Sequence, residues 1–413
     1  MNPETIRIID FWIGKPACAA LTFLRRLGPA ERSADLPPPR KIMFIKLIEQ
    51  GATVLAYGAI LRAIQKVGRN NVYFCVFEDN QEILRVLDVI PPENIFTVRN
   101  RGFMLFLRDI LALLGKTRKL GIDTTIDMEF FTRAPAILAF FSGAKRRIGY
   151  HRFNSEVPYR GDLMTHRVQY SPYLHAAVSY RLLVEAADLD PEDLPQPKIR
   201  PGPDWIVRPK FIPDKDSLDR VRSIISAAAG SFPAGPIVIL NPNAGDMLPI
   251  RKWPEARFIE LGKKILEAFP EAAIAVTGSP SERAAAEEIC AAIASPRAFS
   301  LAGKTKLRDL FELYTLSHIL ITNDSGPAHF ASMTDINSIV LYGPETPLLF
   351  GPISERGHAV FKGLGCSPCV NVYNHRFTPC KVNRCMLAIT VDEVFALVED
   401  RLMSLSKRQM AKG

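Results

Sequence analysis

The sequence predicts an α/β protein built of two Rossmann-like, doubly wound domains, and three observations carry that expectation. Short apolar runs alternate with helical stretches over residues 41 to 187, and again over 216 to 390. A Pro-rich stretch over 188 to 215, "DLDPEDLPQPKIRPGPDWIVRPKFIPDK", parts the two series as a stiff linker. The chain's 413 residues are also too many for one core of ordinary size. Alternation of this kind calls for parallel sheets, because each crossover helix must return over a face of its sheet.

Taken in order, residues 1 to 40 stand apart. "ETIRIIDFWIGKPACAALTFLRRLG" places Ile6, Ile9, Ile13, Ala17, Leu21 and Leu24 at roughly helical spacing, with Arg7, Lys15, Arg25 and Arg26 for charge. Pro16 predicts a break. The segment reads either as a helical hairpin on an anionic membrane face or as a helix packed on the protein's own body. "PPP" at 37 to 39 closes it. The first domain then reads strand "KIMFIKLI", helix from about Thr53 to Val67, strand "NVYFCVF", helix "QEILRVLDVI" and strand "NIFTV". A helix over 103 to 118, strand "IDTTIDM" and a helix over 131 to 142 complete it. The second domain reads strand "PIVILNP", helix 254 to 268, strand "AAIAVTG", helix 280 to 293, and strands "HILITND" and "NSIVLYG". A helix over 391 to 405 lies in the C-terminal segment 391 to 413.

Composition narrows the partners. With 47% hydrophobic and 23% charged residues the chain reads as an ordinary folded protein, and its net charge of +9 favours anionic ligands. No run of basic and aromatic residues resembles a nucleic-acid motif, so nucleic acid is not expected. No apolar stretch has the length of a membrane span. Asp10 and Pro16 interrupt the N-terminal apolar run, which makes a poor signal peptide. Neither domain carries G-x-G-x-x-G, which argues against a nicotinamide or flavin dehydrogenase.

The stretch "HILITNDSGPAHFAS", residues 318 to 332, puts Asp324, Ser325, Gly326 and His329 at the exit of a buried strand. A cap residue followed by Pro327 starts a helix, whose first N–H groups suit a phosphate. Ligands of open α/β sheets lie beyond the carboxyl ends of the strands. A strand-to-helix turn with a satisfied cap explains the same residues without a ligand.

Three stretches of the second domain together resemble glycosyltransferase family 9, the ADP-heptose:lipopolysaccharide heptosyltransferase family. They are "ILNPNAGDMLPIRKWPEARFIELGKKI", "IAVTGSPSERAAAEEI", and "NDSGPAHFAS" followed by "YGPETPLLFGP". The first domain matches more loosely, through "KIMFIKL…GATVLAYGAILRAI" and "IDMEFFTRAPAILAFFSGAKRRIGY", so the likeness covers roughly residues 41 to 390. The resemblance implies the GT-B architecture, with ligands in a cleft between domains, and an inverting sugar transfer that needs no metal. It implies a nucleotide-sugar donor resembling ADP-heptose, an anionic glycolipid acceptor and work at the cytoplasmic face of an inner membrane, with peripheral membrane contact. Arg251 stands where the family usually has a Lys facing the phosphates; Lys252 is a second candidate, and surface charge is the plain alternative for both. Glu282 stands where the family places an acid on the nucleotide ribose, although a first-turn acid favoured by the helix dipole would look the same. Asn243, Ala244 and Gly245 read as a narrow loop that lets backbone approach a diphosphate. Asp324 reads as a partner of sugar hydroxyls or of the turn, and His329 as a phosphate donor or a brace.

The first loop departs from the family. Active relatives usually carry Gly-Asp there, with the Asp taking the acceptor's proton; here Ala52 follows Gly51. Glu49 in the same loop is the first candidate for the base, and Glu129, at the end of the fourth predicted strand beside Asp127, the second. Seven cysteines in a wide spread argue against a disulfide framework, and Cys75 and Cys290 read as core. "CSPCVNVYNHRFTPCKVNRCM" spaces Cys366, Cys369, Cys380 and Cys385 so that they could clamp one structural zinc, with His375 as a substitute ligand; reduced thiols packing a loop, or one oxidised pair, are the alternatives. The leading expectation is a glycosyltransferase. The replaced acid motivates a rival, a non-catalytic sugar-nucleotide-binding protein, and a GT-B nucleotide-sugar epimerase stands third.

Overall fold

The computed structural model describes residues 8–27, 36–154, 157–194, 197–245, 248–374 and 378–410, with backbone alone over 405–410. Two compact units are present: Met1–Val207 with Asn371–Phe377, and Arg208–Val370 with Thr378–Gly413. Each carries one six-stranded sheet, every pairing of which is parallel.

In the first unit the strands are β1 Ile42–Ile45, β2 Val72–Phe77, β3 Ile95–Val98, β4 Thr124–Asp127, β5 Arg146–Tyr150 and β6 His166–Val168, in the order β3-β2-β1-β4-β5-β6. Both faces of β1 and β2 are covered, which is why these strands read as unbroken apolar runs. The order reverses beside β1, between β1 and β4, so the loops leaving those two strands diverge and open a crevice at the carboxyl edge. One face packs Met43, Ile45, Cys75 and Phe96 against Leu113, Leu138 and Cys18. The second unit repeats the plan with β7 Ile237–Asn241, β8 Ala273–Val276, β9 Ala298–Ser300, β10 Ile319–Asn323, β11 Asn337–Tyr342 and β12 Gly357–Phe361, ordered β12-β11-β10-β7-β8-β9. Its switch point lies between β7 and β10. Trp253, fully buried, anchors its core and donates from Nε1 to the Ile389 carbonyl at 3.0 Å. The C-terminal helix Val391–Met410 packs along Glu255–Ala268.

Several sequence expectations need correction. Strands β5, β6, β9 and β12 were not foreseen. They are short, and β5 opens on two buried arginines: Arg147 donates to the carbonyls of Leu163 and Ala144, and Arg146 to that of Pro37. Such a segment reads as polar in sequence yet is wholly buried. The helix expected from Thr53 begins at Gln50 and is interrupted at Ala56. The helices Ala176–Glu185, Lys215–Ala229 and Leu307–Leu316 were not anticipated. Within the Pro-rich stretch Trp205 is buried, with the Arg181 guanidinium over its ring, and a Cβ on Gly58 would stand 2.7 Å from the Trp205 carbonyl oxygen.

The N-terminal expectation also changes. No hairpin forms at Pro16. A π-helical turn, Asp10–Gly14, runs directly into the helix Lys15–Leu27. The wide turn lies where proline, lacking an N–H and crowding the preceding turn, disrupts regular α-helical bonding. One side packs on the unit: Cys18 is in the core, Asp10 pairs with Arg133 at 2.7 Å, and Arg25 pairs with Asp162 at 3.1 Å. Ile6 and Arg7 lie outside the described residues. Among the described residues no helix is long and apolar enough to cross a membrane.

Candidate active site

At the switch point of the second sheet, polar side chains tie the ends of β7 and β10 together. Asn323 accepts from the Trp253 N–H at 2.9 Å and donates to the Pro242 carbonyl at 2.8 Å. Asn241 donates to Thr277 Oγ1, and Asn243 to the Thr277 carbonyl. These bonds fix the loop after β7, in which Gly245 takes a positive φ of 68°. Arg251 reaches into this corner. It donates to the Ala244 carbonyl at 3.1 Å and stands 3.5 Å from Asp324, while its buried Nε has no partner among the described residues. An arginine held by one carbonyl and one carboxylate, with a donor to spare, suits a further anion.

Asp324 is buried, and burial pushes its carboxyl up while Arg251 pulls it down. Glu345, in the turn after β11, is also buried; burial, then the neighbouring Asp324, hold it well above the carboxylate range, with Arg251 opposing. Two carboxyls sharing one guanidinium in a dry corner cannot both ionise cheaply, which is why both are pushed up. Sequence reading passed over Glu345; an acid immediately after the Gly-Pro that follows β11 was the available signal. Ser325 caps the helix Gly326–Ala331 by position but not by its hydroxyl, which turns back to the Asn323 carbonyl at 3.1 Å. His329 is buried on that helix. Lys252 is half-buried beside Trp253, and no hydrogen bond or ion pair of its ammonium occurs among the described residues. Glu282 lies farther along. Its Oε2 accepts from the Ser279 N–H at 2.7 Å, closing a capping box that starts the Pro280–Ile293 helical run. The plain role of Glu282 is therefore fulfilled, with the other carboxylate oxygen left to reach a ligand.

At the switch point of the first sheet the two candidate bases separate. Glu129 is buried and braces the loop after β1: Oε1 accepts from the N–H groups of Leu47 at 2.7 Å and Ile48 at 3.1 Å, and Oε2 from Lys46 at 3.0 Å. Asp127, paired with Arg160, accepts from the Glu129 N–H; burial pushes its carboxyl up to about 6 against the pull of Arg160. Glu49 sits one turn away with φ 69° and ψ 82°, a left-handed backbone that a non-glycine residue adopts at a cost. Its side chain is 20% exposed and receives Lys46 at 3.3 Å. Ala52 is buried within the following helix.

The four late cysteines are not gathered as a metal cage. Cys366 and Cys380 are exposed, Cys369 is half-buried and Cys385 is buried, all as free thiols. Cys380 donates from Sγ to the Val382 carbonyl, and Cys369 accepts from Thr378. Cys366 and Cys369 come near enough to Cys385 to push its thiol up, after burial, which is the larger cause. Among the described residues no group of three or more His, Cys, Asp or Glu is placed to hold a metal ion. His375 lies outside the described residues.

Comparison with known proteins is decisive at the level of family. The sequence pattern of glycosyltransferase family 9 (heptosyltransferase) matches residues 111–377, well over half of the chain. This chain belongs to glycosyltransferase family 9. The curated lipopolysaccharide heptosyltransferase 2 of Salmonella typhimurium is 27% identical over 172 residues, 41% of this chain and 45% of that protein. The chain thus spans under half the length of that relative. The lipooligosaccharide heptosyltransferase 2 of Haemophilus ducreyi is 26% identical over 250 residues, 59% of this chain and 67% of that protein. In fold, the ADP-heptose lps heptosyltransferase II of E. coli superposes with a TM-score of 0.65 at 18% identity, covering 89% of this chain and 99% of that one. A family 9 glycosyl transferase from Veillonella parvula gives the same TM-score at 16% identity. The fold is that of GT-B heptosyltransferases.

Proposed function

We propose that this protein is an inverting, metal-independent glycosyltransferase that moves a heptose-type sugar from a nucleoside diphosphate to a lipopolysaccharide-core acceptor at the cytoplasmic face of the inner membrane. The observation that carries the reading is the family match across residues 111–377, together with Arg251, Asp324 and Ser325 gathered at one switch point. In this reading Arg251, with its spare donor, binds the donor's diphosphate and takes up the charge that grows as the glycosidic bond breaks. Ser325 supports the same phosphates, Glu282 accepts from the ribose, and Asp324 with Glu345 meets the sugar hydroxyls. Asn243, Gly326, His329 and Lys252 complete the donor loop. Glu49 takes the proton of the acceptor hydroxyl, whose oxygen attacks the anomeric carbon from the face opposite the departing diphosphate.

Glu49 is preferred to Glu129 because of bonding. Three donors occupy the oxygens of the buried Glu129, whereas the Glu49 side chain is 20% exposed and can be reached by an acceptor. The test is direct: purified protein, ADP-heptose and a heptose-accepting core glycolipid, with product mass and ADP release as readouts. Transfer supports the proposal. Donor binding without transfer would favour the sugar-nucleotide-binding reading, which the buried methyl of Ala52 motivates.

A further inference from the structure

Most of the large apolar side chains left exposed among the described residues fall on one layer of the first unit. That layer holds the N-terminal π-turn and helix, the Phe103–Leu120 helix, and between them the Arg133–Phe141 helix, which touches both. All three rest on the same face of the sheet, through Cys18, Leu113 and Ala136. Their outer faces therefore point away from the sheet to the same side. There stand Trp12, 71% exposed, and Phe103, Met104, Leu111, Phe23 and Leu27. So wide an apolar face on one side of a unit marks an interaction surface.

Charge identifies the occupant. In the described residues of these elements the acids are Asp10 and Asp109, and each is held inward by an arginine, Arg133 and Arg99. The bases Lys15, Arg26, Arg108, Lys116, Arg118 and Lys119 lie exposed among the apolar side chains. An apolar face fringed by cations with no outward acid is what an anionic bilayer surface takes, with aromatic and aliphatic groups at headgroup depth and ammonium and guanidinium groups on the phosphates. A protein partner of mixed surface charge would leave most of those bases unpaired. We infer that the outer face of this three-helix layer docks on an anionic lipid surface. The N-terminal helix is thus packed inward on its own unit and presents its opposite side to lipid, which joins the two readings its sequence left open. Trp12 and Phe103 lie towards the carboxyl edge of the sheet, since Asp10 binds the start of the helix following β4 and Phe103 begins the helix following β3. That edge also carries Glu49. The inference rests on exposure and charge and does not require the transfer reaction.

The protein carries its own probe. Of its tryptophans, Trp205 and Trp253 are buried and Trp12 is exposed. Adding vesicles of phosphatidylglycerol and phosphatidylethanolamine to the full chain, without substrate, should shift tryptophan emission to the blue and shield it from acrylamide. Phosphatidylcholine vesicles should do neither. The shift should vanish in Trp12→Phe while co-sedimentation persists. Replacing Phe103 and Met104 by Ser, or Arg26, Arg108 and Lys119 by Gln, should weaken co-sedimentation by on the order of tenfold or more, and salt should act likewise. Circular dichroism confirms that each variant is folded. Absence of co-sedimentation at low salt overturns the inference. So does shielding of Trp12 that depends on protein concentration and not on lipid, which would assign the face to a second copy of the chain.

Discussion

Glu49→Gln and Glu129→Gln remove the same charge from the same ammonium, yet the structure predicts different failures. Glu129 is buried, and its oxygens serve the N–H groups of Leu47 and Ile48 and the fully buried ammonium of Lys46. Neutralising it removes the carboxylate charge beside the buried ammonium of Lys46, which Glu49 also meets at 3.3 Å, and replaces one accepting oxygen by an NH2 group that faces donors. Breaking a buried pair in this way costs roughly 3–5 kcal/mol. At roughly 2–4 °C per kcal/mol for a unit of this size, the first unit should melt roughly 6–20 °C lower. Glu49 is 20% exposed, and its loss leaves Lys46 still paired with Glu129, so about 1.5 kcal/mol is the most expected. If Glu49 is the base, its variant should keep donor affinity and lose transfer by roughly 10²–10⁴-fold. Calorimetric melting and a coupled ADP-release assay on both variants read the two axes separately. A Glu129→Gln protein that melts like wild type but does not turn over, beside an active Glu49→Gln protein, would refute the assignment.

Other outcomes follow from the same geometry. Arg251→Ala should weaken ADP binding by roughly ten- to a hundredfold, the worth of hydrogen bonds to a charged group, with Arg251→Lys between; equal affinities in titration calorimetry would remove Arg251 from the donor site. Glu282→Gln keeps the capping box and Glu282→Ala loses it, at about 1 kcal/mol, so a nucleotide affinity that falls in both variants assigns Glu282 to the ribose, and a change in melting alone assigns it to the cap. His166 is wholly buried, and burial, then Arg146, push it down to about 4 from an ordinary 6.5. Its neutral form is the one the fold accepts, so this contribution is complete above pH 6.5 and lost as pH falls towards 4. The difference is worth about 3 kcal/mol at roughly 1.36 kcal/mol per pH unit, and urea titrations of wild type and His166→Asn across that window should diverge by that amount. Metal analysis of protein purified without added metal checks the cysteine loop; one zinc per chain would require Cys366, Cys369, Cys380 and Cys385 to close into a cage that the described residues do not form.

The central strands were legible because they are covered on both faces: β1, β2, β7 and β10 are unbroken apolar runs whose character needs no tertiary context. The strand-to-helix turn after β10 was legible for a related reason, since a turn that must leave a buried strand and start a helix within three residues admits few side chains. Strand β5 was hidden, because its buried Arg146 and Arg147 are accommodated in part by carbonyls distant in sequence, those of Pro37 and Leu163. The same reason separates what the sequence determined about function from what it left open. It placed Glu49, Glu129, Arg251 and Asp324 at the carboxyl ends of strands, a position set by local order along the chain. It could not distinguish a brace from a base, or foresee Glu345 beside Asp324, because burial and hydrogen-bond occupancy are properties of neighbours brought together by folding. Nor could it show that one helix packs inward through Cys18 and Asp10 while exposing Trp12, since a single amphipathic pattern is compatible with either partner until the rest of the layer is in place.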